Sequence, residues 1–510
     1  MIPQSNNDSS TSVRQWLFIF WAIHIFFWTL LPTLLQHNAP LDVIEGLAWG
    51  QQWAWGYDKH PWLAPWLTEL ASLLGGHAVW TIYLLSQLAI VLCFWATWRL
   101  ARDLLPARHA VAAVLVLEGI FYYNFTSVEF NPNVAMLPLW ALSILTLHRA
   151  LKLQGILTWI LVGIFAGLAM MTKYFSALLM LCQLLFLISE PDARRSFKRA
   201  GPYLALLVFL LVITPNLVWL AKHNFISLHY AMNRTNAITR LWWHHLIYPI
   251  QFSLSQFLAV LPALIIFLPC LRGEKSLLSL SVFDRRFLYW MGIGPFLLVI
   301  LLSLFGGIEL RSMYGTPLFS LLGVLLIIQI CPALTTQQFH AVWRNTIIVF
   351  ILFLVAFIAS TIGKPYLLGD AKRINFPGPE IALQVTQQWR HQYQMPLKYV
   401  AGDRWLAGNV AFYSPDHPIA YFDWDPTISF WIDEQRLRRD GAIFIWDVQE
   451  QGKLLPAKIA ARFPQAITLP IQYFASPIAP HKVPPVIIGV AFLPPQNSRP
   501  NFTIINGVVE

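Results

Sequence analysis

Long apolar runs separated by short polar or basic turns fill the first 362 residues of the chain. A helix of ~17–25 apolar residues crosses the roughly 30 Å of hydrocarbon in a bilayer. The pattern predicts about eleven such spans, over 15–35, 77–98, 108–124, 133–149, 155–172, 174–189, 202–221, 248–270, 288–305, 314–331 and 344–362. The fifth and sixth meet at Thr172-Lys173-Tyr174 with almost no polar break. After about residue 363 the pattern changes. Short alternating runs, "LKYVAG", "AIFIW" and "VIIGVAFL", follow a helical stretch at Pro379–Tyr393 among prolines and charges. They predict strands of one small α/β domain. The expected fold is therefore a polytopic α-helical membrane protein: a transmembrane domain, 1–362, with a first outer loop at 36–76, then an outer α/β domain at 363–510.

Composition agrees. The chain is 57% hydrophobic and 12% charged, with a mean hydropathy of +0.55, whereas soluble domains carry about a quarter charged residues. Gln15–Leu35 reads as an uncleaved anchor, since its apolar run is too long for a signal peptide and no small-residue cleavage site follows. The formal charge of +10 does not point to nucleic acid, because basic residues collect in the cytoplasmic loops of membrane proteins. One set of loops holds Arg99, Arg102 and Arg108; Arg149 and Lys152; Arg194, Arg195, Lys198 and Arg199; Arg272, Lys275, Arg285 and Arg286. These loops are expected inside, with the N-terminus. The first loop, the loop around Glu129, the loops 222–247 and 306–313, and the C-terminal domain are then outside. Cys93, Cys182, Cys270 and Cys331 sit in apolar runs without metal spacing and read as packing residues.

The first outer loop contains "LDVIEGLAWGQQWAWGYDKHP", with Asp42, Glu45, Asp58, Lys59 and His60 set among tryptophans. Two short helices are expected, about 41–54 and 61–74, with Pro61 in the first turn of the second. Two readings stand. Tryptophan at this density suits an interfacial anchor without chemistry. The charges suit an acid–base site beside a lipid-facing groove. Asp42, at the end of the first span, would be a general base whose pKa rises on partial desolvation. Lys59, with His60, would supply the cation that a phosphate leaving group needs.

The pattern Asp-x-x-Glu, then Trp49-Gly50-Gln51, then Gly56-Tyr57-x-Lys59-x-Pro61, resembles the first outer loop of GT-C class glycosyltransferases. It is similar to the bacterial branch of the protein mannosyltransferase superfamily, which includes lipid A aminoarabinose transferases and lipopolysaccharide galacturonic acid transferases. "GLAMMTKYFSALLM" at 167–180, "PNLVWLAKHNF" at 215–225 and "AGDRWLAGNVAFYSPDHP" at 401–418 extend the resemblance over nearly the whole chain. It implies that Asp42 is the catalytic base and that Lys59 lies near the donor phosphate. The family often carries a second acid in the next outer loop. Here that loop reads "SVEFNPNV": Glu129 is near, but the position aligned on the proline is Asn133.

Other polar residues have two readings each. Glu118, inside the third span, is a functional acid or a protonated helix contact. Lys173 touches the donor phosphate or snorkels. His223, Asn224, Arg234 and Arg240 cap the site or line a solvated loop. Arg311 is a further phosphate ligand or only the partner of Glu309. Glu45, Glu129, His60 and Glu118 are the candidates for a second acid or acceptor contact. Nothing is expected to support a nucleotide-sugar enzyme: no Asp-x-Asp pair, no phosphate-cradling glycine loop and no zinc spacing. The sequence shows no required cofactor, and a divalent metal stays open but unsupported.

The resemblance thus implies an inverting membrane glycosyltransferase of the bacterial inner membrane, acting on the periplasmic face. Its partners would be a polyprenyl-phosphate sugar donor, a glycan or lipid acceptor such as lipopolysaccharide core or lipid A, and membrane lipid, with no nucleic acid. The rivals are a lipid or glycan transporter, which should place charges on helices broken inside the membrane, and a non-catalytic envelope assembly protein.

Overall fold

The structure, a computed structural model, describes residues 5–235, 241–271, 280–330, 333–496, 504–505 and 508–509. Arg240, Arg272, Lys275 and Cys331 lie outside the described residues. Six described helices are long and apolar enough to cross a membrane: Val13–Leu35, Trp80–Leu104, Pro132–Leu153, Gly201–Lys222, His244–Leu271 and Thr336–Leu368. Three bent pairs, Tyr174–Ser189 with Pro191–Lys198, Val282–Gly292 with Gly294–Gly306, and Ser312–Phe319 with Leu322–Ile330, raise the number to nine. The expected eleven differ at two places. The third expected span is a nine-residue helix, Ala107–Leu115, that breaks into 3-10 turns at Val116–Gly119 and Phe121–Tyr123. The fifth, Ile156–Thr172, has 17 residues. Apolar composition picks out both runs without fixing the length of regular helix.

The chain forms two compact units. The first comprises Met1–Leu30, Trp55–Ala64 and Tyr83–Phe357; the second comprises Leu31–Ala54, Pro65–Ile82 and Ile358–Glu510. The first outer loop is therefore divided between them.

The first unit packs helices at unusually close range where small residues allow it. A Cβ on Gly119 would lie 2.3 Å from the backbone of Ala263, and one on Gly323 would lie 1.8 Å from the Ala113 carbonyl oxygen. Buried polar groups are tied together inside. His24 Nδ1 lies 2.7 Å from Glu118 Oε1, and its Nε2 lies 3.1 Å from Gln87 Oε1. Trp28 Nε1 donates to Asn124 Oδ1 at 3.0 Å, and Asn124 donates to the Glu118 carbonyl.

The second unit is built on a six-stranded sheet. Its strands are β1 (Tyr399–Gly402), β2 (Ile419–Phe422), β3 (Ala442–Asp447), β4 (Ile467–Thr468), β5 (Gln472–Phe474) and β6 (Val486–Leu493). The order is β2-β1-β3-β6-β4, with β5 also on β6. β1 pairs in parallel with β2 and β3, while β6 runs antiparallel to β3, with Ile445 opposite Val490. The parallel pair needs a crossover, which the helix Arg404–Tyr413 provides. Apolar β3 is buried along Ala442–Trp446, as a central strand covered on both faces should be. The expected strands and the Pro379–Tyr393 helix are all found here, the helix beginning at Gly378.

Candidate active site

In the first unit, the Lys59 segment is a tight turn. Gly56 and Pro61 form an antiparallel bridge, and the Tyr57 N–H donates to the His60 carbonyl at 3.0 Å. Pro61 thus closes this turn rather than opening the next helix, which starts at Leu63. The turn is fastened to the helix Gly201–Lys222 and its exit, the "PNLVWLAKHNF" segment. Asn216 is fully buried and donates from Nδ2 to the Trp55 carbonyl at 2.7 Å. Gly56 lies against the Trp219 ring, where a Cβ would come within 2.3 Å. Ser227 Oγ donates to the Tyr57 carbonyl at 2.5 Å. Lys59 Nζ lies 5.7 Å from the centre of the Tyr230 ring, within reach of a cation–π contact. Trp219 and His223 stack at 4.2 Å, so His223 packs behind the turn.

The same asparagine reaches the Lys173 turn. Tyr174 donates its hydroxyl to Asn216 Oδ1 at 2.9 Å. Lys173 Nζ donates to Asn133 Oδ1 at 2.7 Å and lies 4.7 Å from the centre of the Tyr314 ring. Tyr314 follows Arg311 in the next turn, its N–H donating to the Arg311 carbonyl at 2.9 Å. Asn133 stands where the resemblance leads one to look for an acid. It accepts the lysine proton without neutralising the charge, and it is aligned by Asn131, which caps the helix Pro132–Leu153. Lys59 and Lys173 therefore sit on segments joined by Asn216, with the Arg311 turn joined through Tyr314. Two or more cations on rigid turns are a means of holding a phosphate. Arg311 is exposed, and Glu309 forms no ion pair with it among the described residues.

Glu118 is not part of this cluster; it is buried against His24. Glu129 is half-buried in the turn before Asn131. Arg234 contacts the Tyr230 hydroxyl and lies 5.5 Å from the centre of its ring.

In the second unit, Asp42 lies in the first turn of the helix Leu41–Gly50, where the positive end of the helix dipole favours a carboxylate. It is half-buried. This helix is not an interfacial anchor: the eight residues from Val43 to Gly50 are buried, Trp49 among them. Of the first loop's tryptophans, the exposed ones are Trp53 and Trp55, in the turns beyond it. Glu45 is 6% exposed and accepts from Arg404 Nη1 at 3.0 Å. The Arg404 guanidinium also lies 5.4 Å from the Phe422 ring centre and 3.5 Å from Asp423.

The motif "AGDRWLAGNVAFYSPDHP" supplies this support. Asp403 caps the helix Arg404–Tyr413 by accepting from the Trp405 and Leu406 N–H groups. Burial pushes its carboxyl up to about 6 despite those hydrogen bonds. Gly408 approaches Ile44 so closely that a Cβ would lie 2.6 Å from the isoleucine methyl. The Tyr413 hydroxyl accepts from the Ala39 N–H at 2.8 Å. His417 stacks on His77 at 4.0 Å. His37 Nε2 lies 2.8 Å from Glu380 Oε1.

Two features escape sequence reasoning, and a third corrects it. Asn216 looks like any polar residue in an apolar run. Glu69 is buried on the helix Leu63–Leu74 beside Gly50, and burial pushes its carboxyl up to about 7. Contrary to the expectation of no Asp-x-Asp pair, Asp423-Trp424-Asp425 is one, with the spacing of a metal-binding acid pair. Here the acids serve structure: Asp423 lies near Arg404, and Asp425 Oδ1 accepts from the Thr427 N–H and hydroxyl. Among the described residues no group of three or more His, Cys, Asp or Glu could hold a metal.

Comparison with known proteins adds to this geometry. A family model described as dolichyl-phosphate-mannose-protein mannosyltransferase matches residues 59–219, which include the Lys59, Asn133, Lys173 and Asn216 segments. The crystal structure of ArnT from Cupriavidus metallidurans, bound to undecaprenyl phosphate, superposes with a TM-score of 0.63. That match covers 96% of this chain and 99% of ArnT, at 14% identity. The chain has the GT-C fold. In sequence it is also similar to the lipopolysaccharide core galacturonosyltransferase RgtA of Rhizobium johnstonii, 20% identical over 458 residues that cover 86% of this chain and 88% of RgtA. A GT-C integral membrane protein similar to ArnT and RgtA is what the first-loop motifs imply.

Proposed function

We propose that the chain is a membrane glycosyltransferase that moves a sugar from a polyprenyl-phosphate donor to a cell-envelope glycan or lipid. The observation that carries this reading is the pair of lysine turns, Lys59 and Lys173, joined through Asn216. ArnT, a solved protein of the same fold, was captured with undecaprenyl phosphate, and a lipid phosphate is the ligand that such a pair suits. Lys59 and Lys173, with Arg311, would balance the charge that grows on the phosphate as it leaves. Asp42 takes the role the resemblance gives it and accepts the proton of the acceptor hydroxyl. The hydroxyl oxygen bonds to the anomeric carbon, the bond from that carbon to the phosphate oxygen breaks, and the lipid phosphate departs with both electrons. A single displacement inverts the anomeric centre. The distribution of basic residues among the loops supports an N-terminus in the cytoplasm and a C-terminal domain in the periplasm of a bacterial inner membrane. RgtA, by its name, acts on lipopolysaccharide core, which makes core or lipid A the first acceptors to try.

One observation favours a transporter: the buried His24–Glu118 pair beside a broken helix. That reading predicts movement of donor lipid without sugar transfer. The deciding experiment supplies purified full-length protein in nanodiscs with polyprenyl-phosphate sugars and host lipopolysaccharide, then weighs the products. A gain of one sugar mass on the acceptor, with release of lipid phosphate, supports transfer. Vesicle flipping of intact donor with no mass gain sinks it.

A further inference from the structure

The helical unit also carries a pocket that the transfer reaction does not use. It encloses about 270 Å³ and is lined by Arg14, Arg99, Arg102, Asp103 and Trp98, with Val13 at one side. The carboxylate of Asp103 is already held by Arg149 through two hydrogen bonds, of 2.8 and 3.2 Å. Three guanidinium groups thus line a pocket whose one carboxylate is already engaged by a fourth. Arg99 Nε and Trp98 Nε1 are buried N–H donors with no acceptor among the described residues. Such a pocket asks for an acceptor-only anion.

Val13 also lines a second, apolar space of about 700 Å³. This groove runs between the helices Val13–Leu35 and Thr336–Leu368, walled by Trp16, Ile19, Ile23, Trp343 and Ile347. Its floor is Phe20, packed edge-on against Trp343 at 5.8 Å. The two spaces share Val13. A cationic pocket next to an apolar groove between membrane-crossing helices has the two chemistries of a lipid. Soluble phosphate would leave the groove unfilled, and a zwitterionic headgroup would bring its own cation towards the arginines.

We infer that this end of the helical unit binds one anionic phospholipid, with its phosphate among Arg14, Arg99 and Arg102 and an acyl chain between the first and last long helices. Basic pockets between membrane helices hold anionic headgroups in this way. The basic loops place the site in the inner leaflet, away from the transfer chemistry, and it stands whether or not that chemistry is as proposed.

The test is native mass spectrometry of the full chain in detergent, given equal amounts of phosphatidylglycerol and phosphatidylcholine. Wild type should retain a single phosphatidylglycerol in preference. Arg102→Gln should lower that preference about fivefold, and Arg99→Gln with Arg102→Gln by more than tenfold. Ile19→Trp with Ile347→Trp keeps the arginines but fills the groove, and should also lose the lipid. Glycerol 3-phosphate should not displace it. Equal retention of both lipids by wild type overturns the proposal. So does an unchanged preference in folded Arg102→Gln, and so does displacement by glycerol 3-phosphate, which would make this a site for a soluble anion.

Discussion

The two halves of the first outer loop are neighbours in sequence and belong to different units. The acidic half, with Asp42 and Glu45, is held by the C-terminal unit through Arg404, Gly408 and Tyr413. The basic half, with Lys59, is held by the helical unit through Asn216, Trp219 and Ser227. The means of attachment differ as well. The acidic half is a helix fixed by a partly buried ion pair and close packing. The basic half is an irregular turn whose backbone carbonyls are gripped by side chains. One loop thus carries two separately supported tools, and damage to either support should be readable by itself.

Apart from loss of Asp42 itself, the largest effect is expected from Lys59→Gln. Removing a cation from a leaving phosphate should cut kcat/KM roughly 10²–10³-fold, measured with purified protein and a defined donor. Arg404→Gln comes next. It strands the buried Glu45 carboxylate and should cost about 3 kcal/mol, seen as a lower melting midpoint. Its kinetic mark should be a reduced kcat with the donor KM unchanged, because it loosens only the acidic half. Adding Glu45→Gln should recover most of the stability, and a double-mutant cycle measures the coupling. Additive losses would mean that the pair does not hold the helix.

Asn216→Ala removes two side-chain hydrogen bonds, which leaves the Trp55 carbonyl and the Tyr174 hydroxyl without this partner, at about 1–3 kcal/mol. Its mark should be the opposite one: a donor KM raised about tenfold and a smaller change in kcat. Equal effects of Asn216→Ala and Arg404→Gln on both constants would erase the distinction between the halves.

The smallest effect concerns pH. The Glu69 carboxyl is raised from 4.5 to about 7 in the folded protein by burial. The folded state therefore binds more protons than the unfolded state between those values. Stability falls as pH rises through that window, and the cost is complete above it. Glu69→Gln should raise the melting midpoint by roughly 2–4 °C at pH 8 and leave it nearly unchanged at pH 4. A rise at both values would assign the gain to packing.

Much of this was open to sequence reading, because it rests on local pattern. Apolar runs mark the long helices, and alternation marks β1, β3 and β6. The Asp-x-x-Glu and Gly-Tyr-x-Lys-x-Pro segments single out the loop. What stayed hidden depends on distant partners. Nothing near Glu45 announces Arg404, which lies 359 residues away. The motif at 401–418 could be noticed, but its task of gripping residues 39–45 could not be inferred. Asn216 gains meaning only when Tyr174 and Trp55 arrive on either side of it. The break at residues 116–123 is hidden for a related reason: Glu118 and Asn124 find their partners in His24 and Trp28 on the first long helix, so the run looks continuous in sequence.

The central claim is that Asp42, on its separately held helix, is the base of a sugar transfer from lipid phosphate. Donor turnover by Asp42→Asn tests it most directly, in membranes where the variant is inserted at the wild-type level. The account predicts a fall in turnover of about 10²–10⁴-fold with donor binding retained, and an acceptor lighter by one sugar. Wild-type turnover by Asp42→Asn would contradict it.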